Sequence, residues 1–232
     1  TIDAFRRVEA APVVVVVGYA WKEVSSALGG ENTYVLSDNP VGGTAYAVFE
    51  SLSVPGIVDA DPIVVIGMGD RIVPPSTFRA LLKAHRGDGR EGDLTFLTAV
   101  YEPPRNQGKG RVVRDNNGRV RSIVEERDIR AISDGPHRTK MLEQTEANCP
   151  LFAVRARRLQ THLAGLTNDN AQQQYYLTDI VSSVAEAGGE IRTITTRPGD
   201  SEYDLLTSDV TRPDDLERVS TIVRDNPKLL TG

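Results

Sequence analysis

The chain has 232 residues, of which 39% are hydrophobic and 25% are charged, and its formal net charge is −5 at pH 7. This composition is typical of a globular protein with one sizeable core. The negative charge argues against nucleic acid or an anionic membrane as a partner, since both attract positive surfaces. The longest apolar run is far too short to cross a bilayer. The single cysteine, Cys149, favours a reducing, cytoplasmic setting.

The first hundred residues alternate between helical and strand patterns. Two runs, Val13 to Val17 and Ile63 to Ile66, lack polar alternation, as is typical of strands buried on both faces of a parallel sheet. The alternation predicts a Rossmann-like α/β fold, with a mostly parallel sheet and helices on both faces. The predicted helices cover residues 1–8, 21–28, 44–52 and a segment after Pro75, and further strands cover 33–36 and 94–100.

The pattern changes after residue 100. Polar-rich strands at 111–115 and 119–124 flank Asn117-Gly118, which predicts a β-hairpin inserted into the fold. Without a visible linker or repeat, the sequence favours a single domain over residues 1–232. Further helices are predicted within 137–145, at 157–163 and 177–187, and after Pro213, with strands at 147–154 and 191–196.

Two glycine-containing segments lie where ligands bind in open α/β sheets, beyond the carboxyl ends of strands. Gly69 and Asp70 follow the strand at 63–66, and a carboxylate there suits Mg²⁺. Gly43 and Thr44 end a loop whose backbone amides can face a base or a phosphate. Each segment has a plainer interpretation as a turn or a helix cap, so the residues alone indicate only an α/β domain with a crevice for an anionic ligand.

Several motifs in order carry a more specific resemblance. The chain is similar to the sugar-phosphate nucleotidyltransferase family, and it most resembles the uridyltransferase domain of the bifunctional N-acetylglucosamine-1-phosphate uridyltransferase/glucosamine-1-phosphate acetyltransferases. The resemblance implies the nucleotide-diphospho-sugar transferase fold. It rests on Gly43-Thr44-Ala45-Tyr46-Ala47, Gly69-Asp70, Gly108-Lys109-Gly110-Arg111-Val112-Val113-Arg114-Asp115, residues 123–128, Glu146-Ala147-Asn148 and, most specifically, residues 166–180.

The resemblance also implies a reaction. A sugar 1-phosphate, such as N-acetylglucosamine 1-phosphate, would attack the α-phosphorus of a nucleoside triphosphate, such as UTP, and release pyrophosphate. Such a reaction needs positioning and charge neutralisation rather than a protein nucleophile. The second hypothesis is a non-catalytic nucleotide-sugar-binding or regulatory module of the same fold.

Residue roles follow from matching positions. The expected catalytic residue is Asp70, as a ligand of Mg²⁺, and Asp209 and Thr211 are the further metal-ligand candidates. The expected nucleotide-binding residues are Gly43, Thr44 and Gly69, and the expected sugar-binding residues are Gly110, Glu125, Asn148, Tyr176 and Thr178.

Plainer roles exist for four sugar-site residues. Glu125 can be a solvated residue at the end of the hairpin, and Asn148 can satisfy a strand edge. Tyr176 can be core packing, and Thr178 the N-cap of the next helix.

The chain departs from the family pattern at four places. The family's opening strand and Gly-rich triphosphate loop have no match, so we expect the domain to lack them. Its metal-binding Asn is matched by Thr211, which leaves Asp209 as an alternative ligand. Cys149-Pro150 and Gln174 replace residues near the sugar, which puts the identity of the sugar in doubt. Hexapeptide repeats are absent, so we expect no acetyltransferase activity from this polypeptide.

Overall fold

The computed structural model describes residues 2–231 as one α/β assembly. The strands are β1 Val14–Val17, β2 Thr33–Leu36, β3 Ile63–Gly67, β4 Leu94–Val100, β5 Arg111–Arg114, β6 Val120–Val124, β7 Glu146–Arg155 and β8 Ile191–Thr196. The helices are α1 Ile2–Arg7, α2 Trp21–Leu28, α3 Thr44–Ser51, α4 Ile57–Ala60, α5 Pro75–Arg86, α6 Glu126–Ala131, α7 Gly135–Leu142, α8 Ala156–Ala164, α9 Asp179–Glu186, α10 Tyr203–Leu206 and α11 Pro213–Asp225, followed by a 3-10 turn at Pro227–Leu230.

Strand β7 is the centre of the larger sheet. Its ten residues pair with β3 and with β4, both antiparallel, and its first part also meets β5. Since β4 pairs in parallel with β8, strands β3, β4 and β8 point the same way and β7 runs against them. The predicted mostly parallel α/β fold is therefore confirmed, with one reversed strand in its middle.

The predicted hairpin is present as β5 and β6. Their antiparallel pairing turns at Asn117 and Gly118, and Gly118 has a φ of 78°, a conformation that glycine adopts without strain. Asp115 fixes the turn, because its Oδ1 accepts hydrogen bonds from the backbone of Asn117 and Arg119 at 2.9 Å. The hairpin extends the edge of the larger sheet beyond β7.

Apolar side chains cover both faces of the larger sheet. On one face α3, α8 and α9 pack around Phe96 and Phe152, whose rings stack with centroids 5.7 Å apart. On the other face α5 packs Phe78 and Leu81, both fully buried, beside the ring of Phe5 from α1. Helices on both faces bury the continuous apolar runs of β4 and β7.

The two strands predicted to be buried on both faces, β1 and β3, each have only one partner among the described residues. β1 pairs with β2, and β3 pairs with β7, and in residues 2–231 no strand joins the two sheets. The valines of β1 are half-buried except Val17, and in β3 only Ile66 is buried. Both apolar runs are thus less enclosed than their sequence predicts.

Three short helices, α4, α6 and α10, were not predicted from the sequence. Each has six residues or fewer, so its periodicity is too brief to recognise. Helix α6 matters most, because Glu125 is its N-cap position and not the end of the preceding strand. No helix in the described part of the chain is long and apolar enough to cross a membrane.

His85 gives the fold a specific sensitivity to acid. The imidazole is fully buried, and its Nδ1 lies 3.0 Å from the hydroxyl of Thr95. Burial lowers its pKa below the ordinary 6.5, although Glu91 opposes the shift. His85 is therefore protonated near pH 6.5 in the unfolded chain but only at lower pH in the folded chain. The free energy of unfolding falls as the pH drops below 6.5.

We expect His85→Asn to flatten this dependence. From pH 7 to pH 5 the wild type should lose up to about 1.4 kcal/mol per pH unit of unfolding free energy through this group, and the variant should not. Urea titrations at each pH measure the difference, with the exposed His137→Asn as matched control. Parallel pH profiles for the wild type and His85→Asn would contradict the assignment.

Candidate nucleotide-sugar site

The first part of the site is a loop held against a second loop. Tyr175 donates its backbone N–H to the carbonyl of Gly42, and Ala45 donates its own to the carbonyl of Tyr175, both at 2.9 Å. The hydroxyl of Thr44 accepts a hydrogen bond from the backbone N–H of Leu177 at 3.0 Å. Gly43 has a φ of 98°, and a Cβ there would lie 2.6 Å from the Tyr175 carbonyl, so only glycine fits.

The second part surrounds Glu125. The hydroxyl of Thr178 donates to Glu125 Oε1 at 2.9 Å, and a Cβ on Gly110 would lie 3.0 Å from the same oxygen. Asn148 donates its backbone N–H to the Gly110 carbonyl at 2.8 Å. Four of the five predicted sugar-binding residues therefore meet at one place, where β5, β7 and the start of α9 converge.

Thr178 does not have the plainer role. It occupies the N-cap position of α9, but its side chain caps no backbone N–H of that helix. Its hydroxyl is instead committed to Glu125. Glu125 is likewise not a solvated hairpin end, because burial raises the pKa of its carboxyl despite the hydrogen bond from Thr178.

Asn148 and Tyr176 are both only 7% exposed. The side-chain Oδ1 of Asn148 is buried without a hydrogen-bond partner in the described structure. A buried amide oxygen that lacks a partner is a place where a ligand hydroxyl can bind. Tyr176 donates its hydroxyl to Gln172 at 3.1 Å and is also part of the buried apolar set, so packing and ligand contact are compatible roles for it.

Asp179 adds a third carboxyl to this region. Burial, followed by repulsion from Glu125 and Asp128, raises the pKa of Asp179 to about 6. Sugar hydroxyls are donors that satisfy such carboxylate oxygens. The sequence patterns did not single out Asp179, although it directly follows Thr178.

A salt-bridge cluster under the Gly108–Gly110 loop fixes that loop in place. The buried carboxylate of Glu126 accepts from the backbone N–H of Gly108 at 2.7 Å, from Arg111 at 3.1 Å and from Arg130 at 2.9 Å. Burial alone would raise the pKa of Glu126, but these hydrogen bonds hold it below its usual value. The loop that carries Gly110 is therefore fastened to α6 independently of any ligand.

The third part of the site joins two segments that are distant in sequence. Val210 donates its backbone N–H to the carbonyl of Asp70 at 2.8 Å, and Arg71 and Asp209 form a β-bridge. The predicted metal-ligand candidates Asp70, Asp209 and Thr211 are thus neighbours through their backbones. Gly69, before Asp70, is exposed with open space around its Cα.

The two aspartates differ in what occupies their carboxylates. Asp70 is exposed and makes no side-chain hydrogen bond or ion pair in the described structure, so it is free to bind a cation. Asp209 is bound by both Arg71 and Lys109. No group of three or more His, Cys, Asp or Glu residues in the described part of the chain is arranged to hold a metal ion by itself.

This donor set fits Mg²⁺, which needs only one or two protein carboxylates when substrate phosphates supply further oxygens. Asp70 meets that requirement, and the exposed residue Thr211 directly follows Val210, whose backbone N–H bonds the Asp70 carbonyl. The sequence patterns did not assign a role to Arg71 or Lys109. A charged residue directly after Asp70, in the otherwise apolar segment up to Val73, is the signal that marks Arg71.

The chain is similar to several bifunctional GlmU proteins over most of its length. The chain is 33% identical over 202 residues to the bifunctional protein GlmU of Caldanaerobacter subterraneus subsp. tengcongensis, covering 87% of this chain and 40% of that protein. It is 33% identical over 218 residues to GlmU of Burkholderia orbicola, with 94% and 44% covered, and 31% identical over 190 residues to GlmU of Geotalea uraniireducens, with 81% and 38% covered. The chain thus spans about two-fifths of the length of these relatives.

The fold has a counterpart among solved structures. The inositol-1-phosphate CTP transferase from T. maritima superposes with a TM-score of 0.57 over 89% of this chain and 80% of that one, at 15% identity. This likeness shows the fold. No protein-family model matches the chain.

Gly110→Ala should disrupt the sugar end of the site. The added Cβ would lie 2.7 Å from Cγ2 of the buried Ile123 and 3.0 Å from Glu125 Oε1, so one of them must move. We expect a loss of about 1–3 kcal/mol in unfolding free energy, measured by urea titration. Gly69→Ala is the control, since nothing lies within 4 Å of its added Cβ. Equal stability of the two variants would contradict the packing described here.

Proposed function

We propose that this chain, which belongs to the sugar-phosphate nucleotidyltransferase family, joins a sugar 1-phosphate to a nucleoside triphosphate and releases pyrophosphate. The observation that supports it best is the meeting of Gly110, Glu125, Asn148 and Thr178 around the half-buried carboxylate of Glu125, at the end of the sheet where the exposed Asp70 follows β3. N-acetylglucosamine 1-phosphate and UTP are the substrates that the resemblance of the sequence motifs implies. Over the length that the chain shares with those relatives, the nucleotidyltransferase reaction is the activity we assign to it.

The proposed roles follow the three parts of the site. The loop at Gly43 and Thr44 binds the nucleobase through backbone groups and the exposed side of the Thr44 side chain, with Gly69 close to the nucleotide. Glu125 accepts hydrogen bonds from sugar hydroxyls, and the free Oδ1 of Asn148 accepts another. Tyr176 and Thr178 close the sugar side. The enzyme thus acts by holding the sugar phosphate in line with the α-phosphorus.

Mg²⁺ is the proposed cofactor. Asp70 would hold it, with Thr211 as a second, weaker ligand, and it would neutralise charge on the phosphates as pyrophosphate leaves. Asp209, the alternative ligand, is occupied by Arg71 and Lys109 in the described structure, and it can serve only if one of those pairs opens.

The functional enzyme also needs a triphosphate-binding element. We propose that a further strand, carrying that element, pairs with the open edges of β1 and β3, because those edges and their half-buried valine and isoleucine side chains are unpartnered within residues 2–231. Unpaired edge groups and apolar side chains both favour such an addition.

Pyrophosphate release tests the function. Four nucleoside triphosphates are each combined with several sugar 1-phosphates, and pyrophosphate release is measured on the longest natural form of the protein. We expect Mg²⁺-dependent release with one of these combinations. Asp70→Asn should abolish it without unfolding the protein, since charge leaves the metal site and volume hardly changes. Asp59→Asn, an exposed carboxylate on α4, is the matched control. Binding of a nucleotide sugar without turnover by any pair would instead indicate a binding module.

Glu125→Gln tests the sugar end separately. The amide keeps the size of the side chain but removes the charge that strengthens hydrogen bonds from sugar hydroxyls. We expect kcat/KM for the sugar 1-phosphate to fall roughly 10- to 100-fold, while the preference among nucleoside triphosphates stays the same. Steady-state kinetics with each substrate varied in turn measure both quantities. A changed base preference would contradict the assignment of Glu125 to the sugar.

A further inference from the structure

Lys109 connects two parts of the site that the proposed reaction must bring together. Its backbone directly precedes Gly110, whose carbonyl accepts from Asn148 and whose Cα lies against Glu125. Its side chain reaches in the other direction, to Asp209, and the next residue along, Val210, donates its backbone N–H to Asp70. The backbone of Lys109 therefore lies at the proposed sugar end of the site. Its ammonium group lies at Asp209, in the segment that contacts the backbone of Asp70.

The side chain of Lys109 is half-buried, and its ammonium group has hydrogen-bond donors left for a ligand. The side chain is 15% exposed, contacts Asp209 and lies with its Nζ 5.7 Å from the centre of the Tyr101 ring. An ammonium has three donors, and Asp209 accounts for one of them. Lys109 lines a cavity of about 230 Å³, together with Arg105, Thr207, Ser208, Asp209, Thr211, Asp215 and Arg218. Since one water takes up ~30 Å³, the cavity has room for a phosphate group.

The charges around this cavity suit an anionic ligand. Asp209 forms ion pairs with both Arg71 and Lys109, and Mg²⁺ held at Asp70 would add positive charge to this part of the site. The other cations of the cavity wall, Arg105 and Arg218, are exposed and already paired with their own carboxylates. Lys109 is therefore the half-buried cation of the cavity wall that is best placed to meet a phosphate.

Asp209 and Arg71 hold the ammonium group in position. Arg71 is 6% exposed and donates to the carbonyl of Leu206 at 2.7 Å, which anchors it to the end of α10. It binds one carboxylate oxygen of Asp209, and Lys109 binds the other. Arg71 thus fixes the carboxylate of Asp209, and that carboxylate in turn fixes the ammonium group of Lys109.

We propose that Lys109 binds the phosphate of the sugar 1-phosphate, and that Asp209 is a positioning residue that acts through Lys109. The inference rests on the proposed function and names a further substrate-binding residue for it. The phosphate would lie between the Lys109 ammonium group and the metal held by Asp70, with the sugar extending towards Glu125.

The test compares a phosphorylated ligand with its phosphate-free counterpart. Binding of N-acetylglucosamine 1-phosphate and of N-acetylglucosamine is measured by NMR titration with Mg²⁺ for wild type, Lys109→Met and Lys109→Arg. We expect Lys109→Met to weaken the phosphorylated ligand by roughly 10- to 100-fold and to leave the free sugar unchanged. Lys109→Arg should keep most of the affinity. Lys140→Met, an exposed lysine on α7, is the matched control.

Two results would overturn the proposal: an equal loss for both ligands in Lys109→Met, or no loss for the phosphorylated one. If Lys109→Met does not fold, acylation of lysines in the wild type tests whether Lys109 contacts the phosphate. The 1-phosphate should protect Lys109 from acetic anhydride far more than the free sugar does, as read by mass spectrometry, and equal protection would refute the contact.

A double-mutant cycle tests the positioning role. Asp209→Asn should lower the ratio of the two affinities when Lys109 is present and should have no further effect in Lys109→Met. An equal effect in both backgrounds would show that Asp209 acts independently, as a metal ligand would.

The wild-type measurements separate this inference from the proposed function. If the wild type binds the phosphorylated sugar more tightly than the free sugar but releases no pyrophosphate with any pair of substrates, the proposed function is refuted. The comparison of wild type with Lys109→Met then still tests whether Lys109 binds the phosphate. A wild type without that preference would refute the assignment of Lys109.

Discussion

The antiparallel strand β7 is the element on which the rest of the structure depends. It pairs with β3 on one side and β4 on the other, and its residues alternate between the two apolar cores. Since it runs against its neighbours, its first residues lie at the end of the sheet where β3 and β4 finish. That reversal brings Asn148 to the edge where Asp70 follows β3, although the two residues are far apart in sequence.

The polar groups at this edge are held by the protein and do not depend on a ligand for their positions. Glu126 fastens the Gly108–Gly110 loop through charged hydrogen bonds, and Thr178 holds Glu125. The ion pair between Arg71 and Asp209 likewise holds in place the segment that follows α10. A site fixed in advance spends little binding energy on ordering side chains, which is the condition under which positioning contributes most to a transfer reaction.

Much of the fold could be predicted from the sequence, and four of the residues proposed for the sugar site, Gly110, Glu125, Asn148 and Thr178, lie together in the structure. The strands at 33–36, 94–100 and 191–196 and the helix at 21–28 have the predicted bounds, because each is a run of strand- or helix-forming residues next to Gly, Pro or polar loop residues. The short helix α6 escaped prediction, and with it the position of Glu125 at a helix start. Arg71 and Lys109 were also missed, since their roles depend on Asp209, which lies about a hundred residues or more away in the sequence.

The sequence by itself determined the order of helices and strands, the β-hairpin at Asn117-Gly118 and the motifs of the sugar-phosphate nucleotidyltransferases. These depend on local periodicity, on turn chemistry and on short stretches of residues. Only the tertiary structure decided that β7 is reversed, that Thr178 binds Glu125 and does not cap its helix, and that Asp209 is paired with two cations while Asp70 is free. The physical reason is that the three-dimensional path of the backbone decides which side chains meet. Local sequence patterns carry no information about a partner that lies many residues away in the chain.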